Sequence, residues 1–305
     1  MKVREGFVDI EGHRLAYLAV NEHLARPGEP AVVFIHGVLA SVNCWRDAVP
    51  EAFRDNRAWY SLSLPAHHPS TVPADFRAEQ VDEQWFYRLI NGALEQLLAG
   101  QKAIVVGHST GGFAGLNLAI NQSPNVAGIV SVAGFHQGKW GGVEGHLLTL
   151  AGLGQWAKPL FVLNIAVARH SQFVRRIFAS LLAHDPGAFR RNPLGQCFLA
   201  NISENTSCHD GSALFSLFNG ITRLEIGHRL NEITMPCHVF AGTHDPVVPA
   251  AQSLLIAGEV PNASTTVFRN IGHMVYVEDS TAYFSALERA LDDIIDRSKR
   301  AAKAA

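Results

Sequence analysis

Short apolar runs alternate with longer stretches of helical periodicity through roughly the first 135 residues. Residues 7–10 and 14–20 read as the two strands of a hairpin that turns at Glu11-Gly12. Residues 31–36, Ala-Val-Val-Phe-Ile-His, form an almost unbroken apolar run, the pattern of a strand covered on both faces. Residues 43–55 suit a helix, 58–62 a strand and 79–98 a long helix. A strand over 102–107, a helix over 110–122 and a buried strand over 126–133 follow. This order predicts an α/β fold, a mostly parallel, doubly wound sheet with helices on both sides.

The rhythm breaks after Gly134. From about 136 to 232 no buried strand is visible, only helical patterns broken by Gly and Pro. The opening of this stretch, Gly138-Lys-Trp-Gly-Gly-Val-Glu-Gly145, reads as a hinge or mobile loop. Strand-like runs return at 238–242 and 265–268, and an amphipathic helix spans about 281–297. The pattern therefore predicts a helical insert between two stretches of one sheet. Residues 159–168 are nearly free of charge. They fall short of the ~20 residues a membrane-spanning helix needs, so they read as a helix that is buried or faces a substrate.

Composition narrows the function classes. A net charge of −2 over 305 residues, with no long basic block, gives nucleic-acid binding no electrostatic footing. Charged residues make up 17%, against roughly 25% in an average soluble domain. Such a chain buries an unusual share of its surface or exposes an apolar site. Cys44, Cys197, Cys208 and Cys237 form no Cys-x-x-Cys pair, so a zinc or redox motif is unsupported. The first residues lack the apolar core of a signal peptide, and a cytoplasmic location is the expectation.

The sharpest chemical signal is Gly107-His108-Ser109-Thr110-Gly111, between the strand over 102–107 and the helix that follows. Gly-x-Ser-x-Gly in this setting is a nucleophile elbow, which presents a serine hydroxyl at the top of a sheet. A free serine is a weak nucleophile and needs a base, itself oriented by an acid. Asp245, in Gly-Thr-His-Asp-Pro-Val-Val-Pro, follows one late strand, and His273, in Gly-His-Met-Val-Tyr-Val-Glu, follows the last. Both fall where loops at the carboxyl edge of a parallel sheet gather a site.

These three motifs, in this order, resemble the α/β-hydrolase family. The resemblance extends to the opening hairpin at Gly12-His-Arg-Leu-Ala-Tyr17 and to His36-Gly37, which is similar to the family's oxyanion loop. It covers about 5–135 and 233–297. It implies a hydrolase core over 1–135 and 233–305 and a helical cap or lid over 136–232. It also implies an oxyanion hole from the backbone N–H groups of Val38 and Thr110. The stretch Ser63-Leu-Pro-Ala-His-His-Pro-Ser70 departs from the family pattern Asp-x-Pro-Gly-x-Gly-x-Ser. A serine nucleophile argues against the family's dehalogenases and epoxide hydrolases, which use aspartate there.

Candidates for substrate contact are His108, Phe135 and Trp45, with core packing as the competing role and the favoured one for Trp45. His67 and His68 suggest a metal only superficially, because no nearby acid or cysteine has ligand spacing. The expectation is a Ser–His–Asp hydrolase of a small ester or similar acyl compound with an apolar acyl or alkyl part. It calls for no cofactor, no metal, no nucleic acid and no membrane span. The competing expectations are a carbon–carbon bond hydrolase of β-diketone-like compounds, an acyltransferase, and a non-enzymatic small-molecule receptor on the same fold. Activity should rise through a limb at roughly pH 6–7, where imidazole becomes neutral.

Overall fold

A hairpin opens the chain, and its strands β1 (Val3–Ile10) and β2 (His13–Val20) pair antiparallel in full register. Glu11 and Gly12 both adopt positive φ, 49° and 77°, as a two-residue turn matching the strand twist requires. The computed structural model describes residues 1–46 and 48–304, the side chains of 201–204 and 301–304 excepted. The other strands are β3 (Ala31–Ile35), β4 (Trp59–Leu62), β5 (Ala103–His108), β6 (Val126–Val132), β7 (Cys237–Gly242) and β8 (Ser264–Phe268). They form one eight-stranded sheet in the order β1-β2-β4-β3-β5-β6-β7-β8. Only the β1–β2 and β2–β4 pairings are antiparallel; β4 through β8 run parallel.

The helices are α1 (Glu51–Asn56), α2 (Glu83–Leu98), α3 (Thr110–Ile120), α4 (Gly142–Gly152), α5 (Lys158–His170), α6 (Gln172–Ser180), α7 (Pro186–Arg191), α8 (Pro193–Thr206), α9 (Gly211–Ile221), α10 (Ala250–Glu259), α11 (Val275–Glu278) and α12 (Ser280–Ala304). Two apolar clusters cover the sheet. One joins it to Leu89 and Ile90 of α2, Phe113 and Leu116 of α3, and Ile256 of α10. The other joins it to Phe53 of α1 and Leu287, Leu291 and Ile294 of α12. Coverage on both faces explains why β3, β5 and β7 are buried throughout and mostly apolar rather than alternating.

Several expected boundaries move, each for a local reason. The helix expected over 43–55 is instead a 3-10 turn, Val42–Trp45, followed by α1. Pro50 separates the two as the residue before α1, since proline cannot donate within a helix. The helix expected from 79 starts at Glu83, because the Asp82 side chain accepts from Trp85 N–H at 2.7 Å and fixes the start there. The segment over 159–168 lies within α5, which is two-faced. Phe161 and Ile165 are buried, while Leu160, Leu163 and Val167 are exposed.

Residues 142–221, α4 to α9, lie between β6 and β7 and contain no strand. The glycine-rich opening of this segment is packed rather than hinge-like. Gly141 N–H donates to Val247 O at 2.7 Å, and a Cβ on Gly141 would sit 2.8 Å from Pro246 O. A Cβ on Gly138 would collide with the Ile221 carbonyl. Small residues here let the backbone pass close to the loop that carries Asp245.

Candidate active site

Ser109 stands between β5 and α3 with φ 53° and ψ −114°, a strained conformation for a residue with a side chain. The turn is possible because its neighbours have none. A Cβ on Gly107 would collide with the Gly111 carbonyl, and one on Gly111 with the Ile35 carbonyl. A Cβ on Gly37 would press to 3.0 Å from both Ser109 Cβ and His108 Nδ1. The ends of β3 and β5 thus approach until the Gly37–Val38 loop faces the serine. Ser109 N–H donates to Val132 O at 2.8 Å, which ties the elbow to β6.

Asp245 and His273, 28 positions apart in the chain, meet at 2.7 Å between Oδ2 and Nδ1. The other oxygen, Oδ1, accepts from Val247 and Val248 N–H at 2.8 and 2.9 Å. The carboxylate is therefore oriented from both sides. His273 Nε2 and Ser109 Oγ are both buried, and neither has a hydrogen-bond partner among the described residues. Both line one cavity of about 540 Å³.

Burial pushes the His273 imidazolium down, but the charge and hydrogen bond of Asp245, with Glu144 and Glu278, outweigh it and leave the net shift upward. That moves the expected titration limb above the ordinary histidine value. Glu278 also braces the loop that bears His273. Its carboxylate accepts from Gly272 and Met274 N–H at 3.1 and 3.2 Å and from His184 N–H at 2.9 Å. His273 N–H in turn donates to Leu182 O at 2.8 Å.

Val38 lines the same cavity, and Thr110 directly follows Ser109 at the first position of α3. Behind Val38 stands a row of three buried imidazoles. His36 Nδ1–H donates to Gly37 O at 2.7 Å, and its Nε2 accepts from Leu64 N–H at 3.1 Å. His67 Nδ1–H donates to Pro65 O at 2.9 Å, and its Nε2 accepts from Leu39 N–H at 3.0 Å. His209 Nε2–H donates to Ala40 O at 3.1 Å, and its Nδ1 accepts from His68 N–H at 3.0 Å. Each ring uses one nitrogen as donor and the other as acceptor, so each is neutral. Burial, with the neighbouring His67, pushes His36 down to about 3, and burial pushes His67 down to about 4. With both nitrogens of all three rings occupied, none is left to ligate a metal. Here Ser63 and Ala66 (φ 64°) stand in the segment that departs from the family pattern.

The three candidates for substrate contact divide. His108 lines the cavity, but its Nε2–H also donates to His273 O at 2.9 Å, so it supports the base from behind. Trp45 does not reach the cavity. It is fully buried, 4.8 Å from the Phe34 ring and 4.5 Å from Tyr276, and Tyr276 forms the wall instead. Phe135 is likewise core, stacked on Phe113 at 5.0 Å and edge-on to Trp140. An aromatic residue next to a strand end packs inward when the neighbouring helix offers an aromatic partner, as α3 does here.

The sequence reading missed Glu144, His67, His209 and Glu278 as site-shaping residues. Glu144 was detectable in principle, as the one acid in the mostly apolar run of α4, Gly-Val-Glu-Gly-His-Leu-Leu-Thr-Leu-Ala-Gly. Nothing in spacing or composition marks His209.

A nucleophile elbow at the end of a central parallel strand, with an acid and a histidine after later strands, defines an α/β hydrolase. Residues 30–280 match the family profile described as the alpha/beta hydrolase fold, and the chain belongs to that family. Among curated relatives, RutD of Escherichia coli O1:K1 / APEC, a candidate carbamate hydrolase, is 23% identical over 281 residues. That alignment covers 89% of this chain and 95% of the relative. Among solved structures, the enol-lactonase from Burkholderia xenovorans LB400 superposes with a TM-score of 0.73 at 17% identity, over 94% of this chain and 100% of that one. The esterase RhEst1 from Rhodococcus sp. ECU1013 gives 0.72 at 18% identity, over 96% and 100%. At these identities the likeness to the solved structures is one of fold.

Proposed function

We propose that this hydrolase cleaves a carboxylic ester, or a closely similar acyl bond, by way of a Ser109–His273–Asp245 triad. The observation that carries the reading is the 2.7 Å contact between Asp245 Oδ2 and His273 Nδ1, made at the wall of the cavity that also holds Ser109. With Nδ1–H committed to the carboxylate, Nε2 is left as the basic nitrogen. Ser109 Oγ attacks the carbonyl carbon as Nε2 takes its proton. The N–H groups of Val38 and Thr110 receive the developing oxyanion, since neither donates elsewhere among the described residues. The imidazolium, held by Asp245, protonates the leaving alkoxide. Water, deprotonated by the same nitrogen, then releases the acid and restores the serine.

The cavity is lined mainly by apolar side chains, among them Leu147, Ile165, Phe178, Leu182 and Leu214, which favours an apolar acyl or alkyl group. Most of these come from α4 to α9, so the segment over 136–232 acts as a cap that sets substrate choice. A fluorophosphonate probe tests the nucleophile. It should label Ser109, and Ser109→Ala should lose label and about 10⁴-fold or more in kcat/KM. Esters of graded acyl length should show a rising preference from acetyl toward octanoyl. Full activity of Ser109→Ala would refute the triad, and a falling preference would refute the apolar cavity as the acyl site.

A further inference from the structure

Among the ionisable side chains that line the cavity, Glu144 stands out as a buried acid that neither attacks nor carries a proton in the proposed triad chemistry. Glu144, in the first turn of α4, is only 5% exposed yet lines the cavity with Ser109 and His273. Its Oε2 is buried and has no hydrogen-bond partner among the described residues. It does not cap its own helix, and no ion pair among the described residues involves it, although Arg169 and Arg175 line the same cavity. Leaving a buried carboxyl oxygen unmatched is costly, and folded proteins rarely do so without a use for the group. Val143, Leu147 and Tyr276 share the lining with it, and none of the described residues donates to Oε2.

We propose that Glu144 is a substrate-binding residue whose carboxyl meets a neutral hydrogen-bond donor, a hydroxyl or N–H, that the substrate carries apart from its scissile carbonyl. The inference rests on the ester-hydrolase reading above and narrows its substrate class to apolar compounds bearing one such polar group. Burial pushes the carboxyl up to about 7, with His273 opposing and Asp245 adding to the shift. Near neutral pH it therefore exists in both forms. A hydroxyl satisfies either form, accepting from the acid or donating to the carboxylate, whereas an ammonium satisfies only the ionised one.

The test compares aryl esters of straight-chain acids with the same esters carrying one hydroxyl at successive carbons, and alkyl with hydroxyalkyl esters of one acid. In the wild type, at least one hydroxylated isomer should exceed its unsubstituted parent in kcat/KM by about tenfold or more. In Glu144→Leu that ratio should fall below one, and in Glu144→Gln it should stay above one, because an amide still accepts and donates. Glu144→Met replaces the leucine variant should the latter not fold. Equal ratios in the wild type and Glu144→Leu across the whole set would overturn the proposal while Ser109 labelling still stands. Loss of Ser109 labelling in the wild type overturns the hydrolase reading itself, and the subsite with it.

Discussion

The elbow and the helical segment after β6 are built to opposite rules. Every residue of α3 is buried, and the backbone around Ser109 is so tight that glycines at 107 and 111 touch carbonyls directly. In the segment, α5 turns Leu160, Leu163 and Val167 outward, and Trp156 and Phe173 just before and after it are 74% and 71% exposed. One region has no room for a methyl group, and the other leaves large side chains against solvent. The difference separates two tasks. Close packing fixes where the Ser109 oxygen stands, while the looser layer contributes most of the apolar wall of the cavity.

The strongest way to break this contrast is to add a methyl group at the elbow. Gly107→Ala should cost about 4 kcal/mol or more, since backbone must move to admit it. The expected readout is little soluble protein, or a large drop in the thermal midpoint. A near-native midpoint would mean that the elbow is not tightly packed after all.

The next effect lies at the seam between the regions, where His209 of the segment bonds Ala40 O behind Val38. Burial depresses His36 and His67 to about 3 and about 4. Unfolded, both rings bind a proton near the ordinary histidine value, about 6.5. Their contribution is therefore full above pH ~6.5 and drains away as pH falls toward these folded values, by up to about 1.4 kcal/mol per pH unit for each ring. Urea unfolding from pH 7 down to 4 should show this decline, and a flat profile would remove the neutral-imidazole seam.

A smaller and more selective effect sharpens the role of Glu144. Its negative charge is among the influences that raise His273. Removing that charge favours the neutral ring, so the rising limb of kcat/KM in Glu144→Gln should move to lower pH. The wild-type limb should lie above the ordinary histidine value. The smallest effect is expected on the outer face. Leu163→Gln, at a side chain 57% exposed, should change stability by no more than about 0.5 kcal/mol.

How much of this was legible beforehand follows the same divide. The strands β3, β5, β6 and β7 and the residues Ser109, Asp245 and His273 could be read directly. Buried parallel strands leave apolar runs, and an elbow must spell its glycines. The segment over 136–232 could be read as helical but not as a shape. Its glycines at 138, 141 and 142 suggested motion, whereas they serve close passage, Gly138 past Ile221 and Gly141 and Gly142 past Pro246. The core position favoured for Trp45 agrees with its burial, whereas Phe135 was left open between core and cavity because sequence position cannot say toward which side of a strand end an aromatic ring turns. Glu144 and His209 matter through neighbours far along the chain, and only the folded arrangement brings those neighbours to them.

Asp245 and His273 both sit in loops that follow late strands, β7 (Cys237–Gly242) and β8 (Ser264–Phe268). A nascent chain still short of Cys237 already owns Ser109 but neither of the partners proposed for it. On the ribosome, where domains assemble as their residues emerge, the proposed triad can therefore form only after both late loops have emerged. If the proposed triad is the active one, turnover doubles as a certificate that the chain was made past His273, and a chain truncated before Cys237 announces itself by silence.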